Sequence, residues 1–315
     1  MCTAIKDGIY VGRNLDICEG YGEEIIITPR KYCISLRKEE NIREHFAIIG
    51  MGTVSRGYPL YYDAVNERGL YMAGLNYVGN AKYLPPKADM TNLAPFEIIP
   101  YVLGKCKTVY EAECELARIN LTDIPFSREL TTAELHWFIS DKDRSIVVEP
   151  DANGINIHDN PIGVLTNNPS FPYQLFNVNN YLSLRRDTPT VTFSKHFPIS
   201  VYSEGMGGIG LPGDLSSQSR FIRAAFHKSE VKGDKGLARI FHLLGSVEMP
   251  DGSVKVGDKY ERTEYTTATN LSTMTYYYRA YDSAGISAVK LFSENLDTHP
   301  LIRYAVLTTD AASQN

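Results

Sequence analysis

Short segments rich in β-branched and aromatic residues recur along this chain, separated by turn-forming residues. They cover 23–29, 45–52, 69–77, 134–141, 145–150 and 163–167, with a later block at 265–292. Such segments predict strands, whereas helical periodicity is confined to 94–106, 108–119, 214–230 and 235–247. Because strands and helices come in blocks and do not strictly alternate, the sequence favours stacked layers of helices and mixed or antiparallel sheets.

The helical segments carry recognisable start signals. Thr108 with Glu111 predicts a capping box, and Asp214 is a candidate N-cap. Apolar side chains recur at helical spacing in two of these segments, at Val109, Ala112 and Leu116 and at Phe221, Ala224 and Ala225. We expect the helices at 94–106 and 108–119 to cover one face of a sheet.

Bulk composition excludes several classes of protein. A chain of 315 residues that is 43% hydrophobic can bury a large core, and without linkers or repeats we expect one domain over 1–315. A net charge of -5 offers no attraction to nucleic acid or an anionic membrane. Apolar runs fall far short of the roughly 20 residues of a spanning helix. Charged residues near the N-terminus argue against a secretory signal, so a cytoplasmic protein is expected.

Metal, nucleotide and disulfide chemistry have little support. Five cysteines without a C-x-x-C pair are interpreted as reduced thiols, and scattered histidines give no metal site and no cofactor. Cys33, Cys106 and Cys114 are interpreted as small core residues. His136, in an apolar strand, is interpreted as a hydrogen-bonded core histidine in preference to a general base. The G-x-G-x-x-G at 205–210 is followed by Leu-Pro-Gly instead of a helix, so we expect a loop there.

Cys2 is the most unusual candidate. The segments 3–6 and 9–12 flank Asp7-Gly8, which predicts a hairpin closed by a type I′ turn, and Cys2 would begin its first strand. Removal of Met1 before this small residue would give Cys2 a free α-amine. Because an α-amine has a reference pKa of about 7.7–8.0 and a thiol about 8.5, one residue can supply both base and nucleophile.

The same hairpin would return Arg13 to the side of Cys2, where a guanidinium stabilises a thiolate. Asp16 could orient the amine. The competing interpretation is that Cys2 is an incidental second residue and that Arg13 and Asp16 are solvated charges at a strand end.

Six motifs together resemble a known family. MCTAI, GRNLD, GLYMAGLNY, GVLTNNP, GLPGDLSSQSRF and YTTATN, in this order from Cys2 to about Leu296, are similar to the choloylglycine hydrolases, N-terminal-nucleophile hydrolases that include conjugated bile salt hydrolases and penicillin V acylases. The resemblance implies a four-layer αββα α+β fold of two stacked, mostly antiparallel sheets covered by helices. It implies an amidohydrolase with the catalytic set Cys2, Arg13, Asp16, Asn76, Asn167 and Arg220. Arg223, one helical turn further, competes with Arg220 for the last assignment.

The resemblance also implies a substrate class. Asn76 in AGLN resembles the bile salt hydrolases, whereas penicillin V acylases tend to carry an aromatic residue there. We therefore expect deconjugation of glycine- and taurine-conjugated bile salts, with N-acyl homoserine lactone acylase and penicillin V acylase as alternatives and an amphiphile-binding protein as the non-enzymatic one. An apolar pocket is expected, lined by Leu15, Tyr21, Tyr61, Phe126, Leu130 and Leu135. The family also suggests a homotetramer.

Overall fold

The computed structural model describes residues 1–190, 194, 196–197, 199–229 and 236–308. Its strands are β1 (Cys2–Asp7), β2 (Tyr10–Ile17), β3 (Glu24–Thr28), β4 (Ile48–Ser55), β5 (Tyr58–Asn66), β6 (Tyr71–Asn76), β7 (Thr91–Leu93), β8 (Ile119–Leu121), β9 (Leu135–Ser140), β10 (Ser145–Asp151), β11 (Gly154–Asp159), β12 (Val164–Leu165), β13 (Val254–Val256), β14 (Lys259–Asn270), β15 (Thr275–Ala280), β16 (Ser287–Lys290) and β17 (Ile302–Ala305). Its α-helices are α1 (Ile98–Lys105), α2 (Val109–Leu116), α3 (Phe171–Asn177), α4 (Ser217–Lys228) and α5 (Leu237–Gly245).

Two antiparallel sheets dominate the part of the chain that the structure describes. The first has the order β12-β1-β2-β14-β15-β16, with β13 paired to β14, and the second has the order β11-β10-β9-β6-β5-β4-β3-β17. A short parallel pair, β7 and β8, lies apart from both. Helices α4 and α5 pack on the first sheet, and α1 packs on the second with α2 beside it. The layers are therefore α, β, β and α, as expected.

Apolar side chains fill the spaces between these layers. Ile5 of β1, Ile49 of β4 and Phe138 of β9 belong to one buried cluster that lies between the sheets and extends to α4 and α5. Met72 and Val102 belong to a second, between the second sheet and α1 and α2. Each such side chain stabilises the fold by about 1.5–3 kcal/mol on burial. The prediction that the first two helices cover one sheet face is thus confirmed.

The N-terminal hairpin forms, with a different turn. Asp7 pairs with Tyr10, so the connecting residues are Gly8 and Ile9. Gly8 has a φ of 62° and Ile9 has no positive φ, which is the pattern of type II′ and not of the predicted type I′. Gly12 lets β2 approach β14 closely, because a Cβ there would lie 1.9 Å from the Thr267 carbonyl oxygen.

The helix starts need two corrections. Thr108 caps α2 by accepting from Glu111 N, but the Glu111 carboxylate accepts from Lys107 N and so does not complete the capping box. Helix α4 is capped by Ser216 instead of Asp214. Asp214 lies two residues before this cap and accepts from Ser216 N and Ser219 Oγ, so the helix begins later than predicted.

Other predictions meet mixed outcomes. Cys106 is buried as expected, whereas Cys33 and Cys114 are exposed, because Cys33 lies in the irregular segment between β3 and β4 and Cys114 is not on the buried face of α2. The glycine-rich segment forms a loop with one short turn, and α4 begins well after it. Strand β5 and helix α3 were not predicted. Glu230 and Lys235, at the facing ends of two predicted helices, lie outside the described residues, as do 309–315. Among the residues described, no helix has the length and apolarity needed to cross a membrane.

Candidate active site

Cys2 lies at the start of β1, where its side chain enters the space between the two sheets and is buried. In the hairpin register Cys2 faces Leu15 of β2. Ala4, two residues further along β1, faces Arg13 of β2. Arg13 Nη2 donates to Cys2 Sγ at 2.6 Å. Antiparallel pairing therefore places a guanidinium on the thiol, as the sequence predicted.

The Arg13 side chain is fully buried and held by the second sheet. Its Nη1 donates to the carbonyl oxygens of Gly74, at 2.7 Å, and Tyr62, at 3.0 Å. Burial lowers the pKa of Arg13, but the nearby Cys2, Tyr265 and Asp63 outweigh it, so the net shift is upward. Arg13 is thus a fixed positive charge beside the sulfur, and a fixed charge at this distance stabilises a thiolate.

Asp63 is a buried carboxylate that the sequence reasoning missed. Its oxygens accept from the hydroxyls of four side chains at 2.7–3.3 Å, those of Tyr71, Tyr265, Thr267 and Tyr276. Burial raises the pKa of Asp63, against the lowering effects of Arg13 and the hydroxyls. These donors come from both sheets and are far apart in sequence, so only the assembled fold reveals the cluster.

Asp16 lies on β2 three residues after Arg13 and therefore faces the opposite side of the sheet. Its Oδ1 accepts from Thr263 Oγ1 at 2.6 Å, and its Oδ2 lies 3.6 Å from Arg220 Nη1. Oδ2 is buried without a hydrogen-bond partner. Burial raises the pKa of Asp16 although Arg220 opposes this shift. One hairpin strand thus serves both faces of the first sheet.

Arg220 extends from α4 to the backbone of the nucleophile. Its Nη1 donates to the Cys2 carbonyl and to Thr3 Oγ1, both at 2.6 Å, and its Nη2 donates to Asn167 Oδ1 at 2.8 Å. Burial lowers the pKa of Arg220 against the charge of Asp16. Arg223 instead donates to Ser246 O and to the loop before α4. Of the two arginines, Arg220 is the one at Cys2.

The Asn167 amide completes the group around Cys2. Its Oδ1 accepts from Cys2 N at 2.7 Å, and its Nδ2 donates to the Asn76 carbonyl at 2.8 Å. Its backbone N–H is fixed by Ser217 Oγ at 2.9 Å. The six predicted catalytic positions are therefore brought together from β1, β2, β6, α4 and the segment after β12.

Met1 precedes this group. Its ammonium donates to the Asp16 carbonyl and to Glu261 Oε1, the latter at 2.9 Å. With Met1 attached, the Cys2 nitrogen is an amide. The sequence did not identify Thr263 or Glu261 as candidates. Both lie on β14, far along the chain from Cys2, and no local sequence motif connects the two segments.

The predicted lining residues divide among different parts of the fold. Leu15 is buried in the same cluster as Cys2. Tyr21 is exposed. Tyr61 and Leu135 lie in or against the cluster beneath α1 and α2, on the other face of the second sheet. The neighbouring Tyr62 packs on the Cys2 side instead.

Phe126 and Leu130 belong to a third cluster. Phe126 is buried with Tyr58, and Leu130 packs against that cluster with Phe96. Phe126 and Phe96 make an edge-on contact with ring centroids 5.2 Å apart. Among these lining residues, the structure thus gathers Leu15 alone into the buried cluster of Cys2, and the binding roles of the others stay predictions.

No three His, Cys, Asp or Glu side chains of the described ranges converge as a candidate metal site. The chemistry available at Cys2 is that of a thiol beside a cation, an acceptor at its nitrogen and amide groups nearby. This set fits nucleophilic acyl transfer.

Comparison with known proteins agrees with this chemistry. Residues 2–304 match the family model of linear amide C-N hydrolases of the choloylglycine hydrolase family. The chain is 49% identical to a bile salt hydrolase/transferase of Lactiplantibacillus plantarum, with 96% of each chain covered. It is 36% identical to one of Clostridium perfringens, with 96% of each covered.

Solved structures agree as well. A crystal structure of the C2A mutant conjugated bile acid hydrolase from Clostridium perfringens superposes with a TM-score of 0.94 at 34% identity, covering 100% of this chain and 99% of that one. Penicillin V acylase from Agrobacterium tumefaciens shares the fold, with a TM-score of 0.76 at 19% identity over 97% and 91% of the two chains. The chain is an α+β hydrolase and belongs to the choloylglycine hydrolase family of linear amide C-N hydrolases.

Proposed function

We propose that this enzyme hydrolyses the amide bond of glycine- and taurine-conjugated bile salts through a thioester on Cys2. The observation that carries the proposal is the placement of Cys2, with its sulfur on Arg13 and its nitrogen on Asn167. This chain matches two relatives over almost their full length, and both are named bile salt hydrolase/transferase, which supports the substrate class.

Removal of Met1 is the first step of the proposal. It converts the Cys2 nitrogen, whose amide N–H donates to Asn167 Oδ1 at 2.7 Å in the present structure, into a free α-amine. The free amine takes the thiol proton, and Arg13 holds the resulting thiolate for attack on the substrate carbonyl. Arg220 fixes the Cys2 carbonyl and Asn167 together, so that the nucleophile and its base keep one orientation.

Attack creates an oxyanion that needs donors in fixed positions. Asn167 Nδ2 carries two hydrogens, of which one goes to the Asn76 carbonyl, so the other is available. In an extended strand the N–H and C=O of one residue point to the same side. The Asn76 carbonyl faces Asn167, so the Asn76 N–H points to the same side of the strand. Asn167 Nδ2 and the Asn76 backbone N–H are the proposed oxyanion donors.

Breakdown of the tetrahedral intermediate releases the amine. The Cys2 ammonium returns its proton to the leaving glycine or taurine nitrogen, and the acyl group stays on sulfur. Water, deprotonated by the same amine, then attacks the thioester and frees the bile acid. The Asp16 carboxylate lies 3.6 Å from Arg220 and balances the positive charge of its guanidinium during both steps.

The test is release of free glycine or taurine from glycocholate or taurocholate by the purified protein. Cys2→Ala should abolish release, whereas Cys33→Ala, an exposed thiol outside the site, should not. Hydrolysis of penicillin V or of an N-acyl homoserine lactone in place of both bile salts would favour those activities. Bile-salt binding with no turnover would favour a binding protein.

We also propose a homotetramer in the cytoplasm. Several large apolar side chains are exposed on the segment from α3 onward, at Tyr173, Phe176, Leu182, Tyr202 and Ile209, and exposed apolar patches commonly mark protein contacts. Light scattering coupled to size exclusion tests the subunit number. Fractionation of the producing cell tests the compartment.

A further inference from the structure

His136 on β9 is completely buried, and each of its ring nitrogens contacts an oxygen atom. One oxygen belongs to a backbone carbonyl, which can only accept, and the other to a carboxyl group, which can only accept when it is ionised. Nδ1 lies 3.1 Å from Glu149 Oε1, and Nε2 lies 2.8 Å from the Thr166 carbonyl. A neutral imidazole donates from one nitrogen only. Both contacts are satisfied together when the ring carries two protons.

Glu149 is equipped to be the counter-ion. It is almost fully buried on β10, and its Oε1 also accepts from Phe171 N, the first residue of α3, at 2.9 Å. Its Oε2 faces His158 Nε2 from β11 at 3.5 Å. A buried carboxylate is strongly disfavoured without such donors and an opposite charge. The surroundings of Glu149 thus match an ionised group paired with His136.

The same imidazole ring stacks on Tyr77. The two rings are nearly parallel, at 4°, with centroids 4.5 Å apart, an arrangement that suits a cationic ring on an aromatic face. Tyr77 directly follows Asn76, and Thr166 directly precedes Asn167. One buried side chain therefore contacts the neighbours of both asparagines, although these come from different sheets.

We propose that His136, held as an imidazolium by Glu149, is a positioning residue that fixes Asn76 and Asn167 relative to each other. This inference rests on the proposed function for the role of the two asparagines as oxyanion donors. His136 does not touch Cys2 or Arg13 in any described hydrogen bond; it acts through Tyr77 on one side and through the Thr166 carbonyl on the other. The charged or titratable groups that face it are Glu149 from β10, with His158 behind, and Tyr77 from β6.

Neutron diffraction from perdeuterated crystals of the whole enzyme tests the protonation directly. Deuterium on both ring nitrogens of His136, with a carboxylate at Glu149, is expected. A deuteron missing from either ring nitrogen, or present on Glu149, would overturn the ion pair. This measurement needs no variant and no substrate, so it stands even if bile salts prove not to be turned over.

Kinetics of Glu149→Gln and His136→Gln test the positioning role. A displacement of about 1 Å can lower a rate about 100-fold, so we expect kcat to fall ten- to 100-fold with little change in KM. Alkylation of Cys2 by iodoacetamide should keep its wild-type rate, because Arg13 is held by other residues. Equal kcat in wild type and Glu149→Gln would overturn the role.

His45 supplies a matched control. It is also buried, and its ring nitrogens contact the carbonyl oxygens of Phe46 and Tyr32 at 2.8 and 2.7 Å, in the loop before β4. His45→Gln should lower the melting temperature and leave kcat unchanged. If it lowers kcat as much as His136→Gln does, the effect is one of general stability and the positioning role is refuted.

Discussion

Replacing Asn167 by alanine removes one amide that forms three side-chain hydrogen bonds around the nucleophile. The lost contacts are those with Cys2 N at 2.7 Å, Arg220 Nη2 at 2.8 Å and the Asn76 carbonyl at 2.8 Å. The substitution therefore takes away a proposed oxyanion donor and, with it, the link between the two sheets at this point.

The loss in kcat and the loss in stability have different origins in the structure. One oxyanion donor accounts for about 10²- to 10³-fold in kcat, or about 2.7–4 kcal/mol. Arg220 Nη1 retains its bonds to the Cys2 carbonyl and Thr3 Oγ1, so the groups left unpaired are Cys2 N, Arg220 Nη2 and the Asn76 carbonyl. At about 1–3 kcal/mol for each unpaired group, the free energy of unfolding should fall by at most about 9 kcal/mol.

The assay is glycine release from glycocholate, with the folded fraction measured by circular dichroism and Met1 removal checked by intact mass. Asn168→Ala is the matched control, because this adjacent amide donates to the Val78 carbonyl at 2.7 Å and not to the site. It should keep wild-type kcat. A kcat within tenfold of wild type for folded Asn167→Ala would refute the assignment of its amide to the oxyanion.

Three further outcomes follow from buried contacts. Thr263→Val removes the hydrogen bonds of Thr263 Oγ1 with Asp16 Oδ1, at 2.6 Å, and with Met249 N, at 2.8 Å. With two buried groups unpaired, the free energy of unfolding should fall by about 2–6 kcal/mol; urea titration measures this, and Thr263→Ser should restore most of it. Insertion of glutamate between Met1 and Cys2 keeps the Cys2 nitrogen an amide and should abolish turnover, while the melting temperature stays close to wild type; undiminished glycine release would contradict the proposed base. Because burial raises the pKa of Asp63 above its ordinary value of 3.8, the folded chain binds this proton more tightly than the unfolded chain, and the free energy of unfolding should fall as pH rises from 3.8 through the raised pKa. Asp63→Asn should flatten that part of the stability profile, and an unchanged slope would show that another group is responsible.

Local sequence signals sufficed for the nucleophile but not for its surroundings. Asp7-Gly8 predicted the hairpin, and antiparallel pairing then required Arg13 to return to Cys2. Asn76, Asn167 and Arg220 came from resemblance alone, since each is contributed by a different element. Thr263 could not be found, because its contact with Asp16 depends on β14 lying beside β2.

Strand β5 shows why part of the fold was missed. Most of its residues are buried on both faces, and Pro59 lies near its start, so it shows neither alternation nor an uninterrupted β-branched run. The resemblance names Tyr61 of this strand as a lining residue, whereas its neighbour Tyr62 packs on the side of Cys2. The extent of the single domain, the catalytic roles and the lining roles stay predictions.

Arg13 and Asp16 emerge from opposite faces of a single short strand, and this constrains how the gene can vary. Substitutions at the exposed Ile9 are compatible with the hairpin, but a one-codon insertion or deletion between Val11 and Arg13 would rotate every later side chain of the strand to the other face. The guanidinium would then leave the sulfur and the carboxylate would turn inward. Libraries for directed evolution of this enzyme should therefore vary residue identity in the first strands and leave their length fixed.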